Sequence, residues 1–140
     1  MLRPQSERYR CSTVSRIANF CIDAADPFAQ ATWWTRALED FIIDPTAKPE
    51  DAEVALFGPK GRSLIFLRVP EAKTVKNRMH FCIRAVASSR DEEVERLLTL
   101  GATMSSDLRE PDHGWAVLLD PEGNEFCVLT ADAESAGIDS

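Results

Sequence analysis

Asn19-Phe20-Cys21-Ile22 is answered 61 residues later by His80-Phe81-Cys82-Ile83, and Phe57-Gly58-Pro59-Lys60-Gly61 is answered 62 residues later by Leu119-Asp120-Pro121-Glu122-Gly123. Two anchors at nearly one offset, set in the same order of elements, point to a duplicated unit. Solenoid repeats run to roughly 20–50 residues, so this longer period fits two copies sharing one pseudo-symmetric domain.

Working outward from these anchors, each copy reads as strand, helix, strands. Ile17 to Asp23 alternates bulky apolar with smaller or polar residues, the period of a half-buried strand. It ends at Asp26-Pro27, an N-cap followed by a residue suited to the first helical turn. Phe28, Ala31, Trp34, Leu38 and Phe41 or Ile42 then recur at three- and four-residue steps, predicting a helix with one apolar face. Val54–Phe57 and Leu64–Val69 flank a Gly-Pro-Lys-Gly turn and predict a hairpin. In the second copy, Met79–Ala85 predicts a strand. Ser89 and Glu92 form a capping box for a helix striped by Val94, Leu97 and Leu98, and Gly101 stops it. Trp115–Leu119 and Glu125–Leu129 close the chain as a hairpin.

Composition agrees with one ordinary globular domain. The 140 residues are 44% hydrophobic and 28% charged, enough for a single core. No apolar run reaches the roughly 20 residues of a membrane span, and no secretory h-region follows the N-terminus, so a cytoplasmic protein without membrane contact is expected. The net charge of −7 and the absence of a basic stripe argue against a nucleic-acid partner. Cys11, Cys21, Cys82 and Cys127 lack CxxC spacing and are expected as free thiols.

Asp23-Ala24-Ala25-Asp26-Pro27, Trp33-Trp34 with Leu38, His80 after Lys76-Asn77-Arg78, and above all Trp115-Ala116-Val117-Leu118-Leu119-Asp120-Pro121-Glu122-Gly123-Asn124-Glu125-Phe126-Cys127-Val128 resemble the glyoxalase-like group of the vicinal oxygen chelate superfamily, which also holds bleomycin-resistance proteins and extradiol dioxygenases. Gln30 and Glu39 depart from it where the group tends to have Leu and Gly. The resemblance implies an α+β fold of two tandem βαβββ modules, about residues 14–70 and 78–130, forming a curled mixed sheet around a central cleft with helices outside. Residues 1–13 are then an N-terminal extension and 131–140 a flexible tail.

Strand alternation assigns faces. If Phe20 and Ile22 lie under the first helix, Asn19 and Cys21 face the cleft, and so do His80 and Cys82. With Phe126 and Val128 on the helix side, Glu125 and Cys127 join them, opposite Trp115, Val117 and Leu119. The expected ligand-binding cleft is therefore Asn19, Cys21, His80, Cys82, Trp115, Val117, Glu125 and Cys127. His80 is a candidate acid or base that Glu125 or Arg84 would tune, although a lone strand imidazole is more often an interior hydrogen-bonding group. The clustered cysteines suit apolar filling, and Trp115 suits either core or a stack on a flat ligand. His113 lies in a loop, solvated or lid-like.

Metal-dependent members of the superfamily take one ligand near the start of each module and one from each module's last strand. Carried over, these positions are Asn19, about Ile65 (or Phe66), His80 and Cys127, of which His80 alone is a standard ligand in place. Iron dioxygenase and glyoxalase chemistry are disfavoured accordingly. The expectation is a metal-free cleft for a small organic molecule. The alternatives are a lyase, isomerase or hydrolase using His80 or Glu125 as catalytic acid or base, and a variant binding zinc through His80, Cys82 and Cys127. A homodimer is compatible with either.

Overall fold

A computed structural model describes residues 14–131. The extension 1–13, with Cys11, and the tail from residue 132 lie outside the described residues. Module one runs β1 (Phe20–Ala24), α1 (Pro27–Ala37), β2 (Ile42–Ile43), β3 (Glu53–Phe57) and β4 (Ser63–Arg68); module two runs β5 (Phe81–Ile83), α2 (Arg90–Leu100), β6 (Thr103–Arg109), β7 (Gly114–Leu119) and β8 (Glu125–Val128). The sheets have matching orders, β1-β4-β3-β2 and β5-β8-β7-β6. In each, the first strand pairs parallel with the last, and the other pairs are antiparallel. The expected βαβββ duplication is present, realised as two four-stranded mixed sheets.

The helix boundaries follow from their caps. Asp26 accepts a hydrogen bond from the Ala29 N–H at 3.1 Å, and Pro27 opens α1. Ser89 and Glu92 form the reciprocal capping box of α2, and Gly101, at φ 120°, ends it. α1 stops four residues before its apolar period does: Leu38 turns extended, leaving Phe41 in the connection and Ile42 in β2. Arg96 of α2 explains how that end is satisfied, since its guanidinium donates to the carbonyls of Arg36 (3.1 Å) and Ala37 (3.0 Å).

One core spans both modules. Val54, Leu56, Leu64 and Phe66 of the first sheet, and Ala116, Leu118, Phe126 and Val128 of the second, are buried together with Val94 and Leu97 of α2. Trp33 and Trp34 of α1 join the halves. Trp34 meets Phe81 and Phe126 edge-on at centroid distances of 5.5 and 5.1 Å, and Trp33 meets Phe126 at 5.9 Å. Each indole N–H finds an acceptor in module two, Leu100 O at 3.0 Å for Trp33 and Asp120 Oδ2 at 3.0 Å for Trp34.

The Asp120-Pro121-Glu122-Gly123-Asn124 turn is also a fastener. Asp120, 3% exposed, accepts from Gln30 Nε2 (2.9 Å) and Trp34 Nε1, and from the turn's own Glu122 and Asn124 N–H groups (both 2.9 Å). Glu122 accepts from the N–H groups of Ala25 (2.6 Å) and Asp26 (2.9 Å), where α1 begins. Gln30, a departure from the group pattern, thus belongs to the module junction.

Candidate functional site

The edges of β1 and β5 border a cleft of about 1020 Å³, lined from β1 by Phe20, Cys21 and Ile22, from β5 by Phe81, Cys82 and Ile83, and from the preceding segments by Asn19, Met79 and His80. Both modules therefore contribute. Of the eight residues expected there, Asn19, Cys21, His80, Cys82 and Glu125 line it, and Trp115, Val117 and Cys127 do not. Trp115 is 42% exposed on β7 opposite Leu108 of β6, and Val117 pairs with Cys127. Phe20 keeps the parity of Ile22, beside Leu64 of β4 as Ile22 is beside Phe66, but it is 39% exposed where Ile22 packs on the core, and both border the cleft. Phe20 is the first residue of β1, and parity fixes its face but not its burial.

Glu125 is held by the 70–78 connection. Lys73 Nζ donates to its Oε1 at 2.9 Å and the Asn77 N–H to its Oε2 at 3.1 Å, while the Asn77 side chain donates to Asn124 at 3.0 Å. Burial works to raise its pKa, but the Lys73 bond and the N–H donors outweigh it and hold the pKa at about 2. Glu125 is a fixed carboxylate, a geometry for bracing the connection and poorly suited to proton exchange near neutrality. The Arg84 guanidinium turns past the end of β8, donating to Thr130 O at 2.7 Å. His113 is exposed, and its carbonyl accepts from Arg90 at 2.6 Å. The contacts made by Lys73, Asn77, Asp120 and Glu122 do not follow from the sequence pattern, because these residues sit in connections, where no period assigns a face.

His80, Cys82 and Cys127 come together. The register sets Cys82 directly beside Cys127 on the parallel β5–β8 pair, and His80 lies two residues before Cys82, on the same face. Their ligand atoms all lie within 4.8 Å of one another; His80 and Cys82 are exposed and Cys127 is buried. Burial pushes the Cys127 thiol up, the neighbouring Cys82 adds to that, and the positive charge of Lys76 opposes it. The duplicate positions in module one are Asn19, Cys21 and Ile65, with Cys21 beside Ile65 on β1–β4 and Asn19 Nδ2 donating to Cys21 Sγ at 3.2 Å.

The ligand set carried over from metal-dependent relatives does not fit these residues. Ile65 has no donor atom, and the Asn19 amide is turned to Cys21.

A family model described as a glyoxalase-like domain matches residues 19–129. No curated protein matches the chain. Among solved structures, the chain is similar to an oxidase, ChaP-H2 (22% identity, TM-score 0.60, covering 84% of this chain and 94% of that one). It is also similar to the fosfomycin resistance protein FosX from Listeria monocytogenes (13%, 0.62, 84% and 91%) and to lactoylglutathione lyase from Agrobacterium tumefaciens (18%, 0.56, 84% and 95%). At these identities the structures speak for the fold, and the duplicated topology with the matched domain decides the membership: the chain belongs to the glyoxalase-like family of the vicinal oxygen chelate superfamily.

Proposed function

We propose that this protein binds a small organic molecule in the cleft between β1 and β5. The supporting observation is the cleft itself, whose volume of about 1020 Å³ is at the upper end of what drug-sized ligands occupy and whose wall leaves large apolar side chains in solvent. Phe20 is 39% and Met79 75% exposed there, beside the polar Asn19, Arg78 and His80. Apolar surface interspersed with polar groups holds a molecule by burial and orients it by hydrogen bonds. Among the described residues no helix is long and apolar enough to cross a membrane.

The test is a thermal-shift screen of small aromatic and aliphatic compounds against the full chain. A ligand at a hundredfold excess over its Kd stabilises by about 2.7 kcal/mol. Replacing Phe20 and Met79 together by Asp is expected to abolish the shift without unfolding the protein, because both side chains are largely outside the core. Trp115→Ala, outside the cleft, is expected to retain it. Stabilising ligands that bind the Phe20/Met79 variant as tightly as the native protein rule out this cleft. Chemical turnover of a bound ligand, lost with binding kept in His80→Ala, would reveal an enzyme in which the imidazole exchanges the proton.

A further inference from the structure

We propose that His80, Cys82 and Cys127 form a zinc site built within module two alone, with one coordination position open to the cleft. This goes beyond the ligand-binding reading and does not depend on it. Two of the donors, His80 and Cys127, stand where relatives place metal ligands, but the third, Cys82, does not, and nothing from module one takes part.

The geometry supports a single ion. A tetrahedral zinc with bonds of about 2.0–2.3 Å sets its donor atoms roughly 3.5–3.8 Å apart. The three donors already lie within 4.8 Å of one another, so side-chain rotation by about an ångström at the atom closes the site without backbone movement. The backbone fixes the rest: two residues apart on β5 gives one face, and direct pairing on β8 brings the second sulfur alongside. Two thiolates and an imidazole are donors for zinc in preference to magnesium, calcium or manganese, which take oxygen. On binding, each thiol gives its proton to solvent and its sulfur lone pair to the ion. Three protein ligands with an exposed His80 and Cys82 leave a fourth position for water or a donor atom of the cleft's occupant.

Duplication provides an internal comparison. Module one presents Asn19, Cys21 and Ile65 at the matching register, one thiol with an amide and a hydrocarbon. A His/Cys/Cys triad survives in one copy, and the other copy has no means to hold the ion. If the cysteines served only as apolar filling, Cys82 would not be exposed beside an exposed imidazole.

Cobalt(II) titrated into the full chain, stripped with chelator and kept reduced, reads the site directly. Expected are one equivalent per chain, sulfur-to-cobalt charge-transfer absorption and the intense visible bands of tetrahedral cobalt, all reversed by one equivalent of zinc. Cys82→Ser, an exposed position whose replacement spares the core, is expected to weaken binding by more than about 100-fold, given that even outer-shell losses cost roughly 10- to 100-fold. Cys21→Ser is expected to leave it unchanged. As a second measurement on the unaltered chain, zinc is expected to protect Cys82 and Cys127, but not Cys21, from alkylation read by mass spectrometry. Absence of charge-transfer bands, their persistence in Cys82→Ser, or equal protection of Cys21 overturns the proposal.

Discussion

Replacing Asp120 by Ala removes the acceptor on which the two modules converge. Two buried side-chain donors, Gln30 Nε2 and Trp34 Nε1, lose their partner, and Gln30 Oε1 already has none among the described residues. Each stranded buried donor costs about 1–3 kcal/mol. The Glu122 and Asn124 N–H groups also lose Oδ1, but they are only partly buried and water replaces part of that bond. The sum is about 3–5 kcal/mol for Asp120→Ala. Asp120→Asn keeps its acceptor on Gln30 and Trp34 when its amide donor turns to the partly buried Glu122 and Asn124 N–H groups, where water replaces part of the lost bonds, so a loss of about 1–2 kcal/mol is expected. Urea unfolding at neutral pH, followed by tryptophan emission, measures both as midpoint shifts at constant slope. A loss below about 1 kcal/mol in Asp120→Ala, or equal losses in the two variants, refutes the reading of this carboxylate as the junction's shared acceptor.

Glu125→Gln tests the brace from the 70–78 connection. Because the folded carboxyl sits at about 2, below its ordinary 4.5, its stabilisation is present in full above pH 4.5 and is lost as pH falls toward 2. The variant is expected to be less stable by about 1 kcal/mol at pH 6, with the gap closing between pH 4.5 and 2 in acid-unfolding curves; a gap independent of pH counts against the ion pair. Gly114→Ala is expected to cost more than about 2 kcal/mol, since the residue sits at φ 84° and an added Cβ would run into the Leu108 carbonyl; thermal melts detect it. Ser89→Ala removes a working cap from α2 and is expected to cost about 1 kcal/mol by the same assay.

Those perturbations sort what a sequence discloses from what it conceals. The caps at Asp26 and Ser89 and the duplicated strands were legible because local chemistry and period-two alternation act on neighbouring residues. β2 and β6 were not. The first is two residues long, and the second, Thr103–Arg109, is a mostly exposed polar edge with a register shift between Met104 and Ser106, so neither shows an apolar face to read. The cleft was half legible. Parity brought His80, Cys82 and Cys127 to one face because pairing preserves it, but Trp115 and Val117, two strands further from β5, fell outside the cleft, since no alternation fixes how far a groove extends across a sheet. The partner that holds Glu125 comes from a connection 52 residues earlier, a contact only the tertiary fold creates.

Stability and chemistry occupy different parts of this molecule, which makes each testable without the other. The groups that hold the modules together, Asp120, Gln30, Trp33 and Trp34, are buried between α1 and the second sheet. The groups that bear reactive donors, His80 and Cys82, are exposed at the cleft, where replacing them removes little apolar burial. Cys127 is the exception, 7% exposed and reached by both roles. A variant at Cys127 that loses metal therefore says less than the same loss at Cys82, because a cavity left by the missing sulfur also shifts β8. Loss of metal at Cys82 with unfolding of the metal-free chain unchanged isolates coordination, whereas a native chain that takes up no metal would mean that packing alone brought the thiols together.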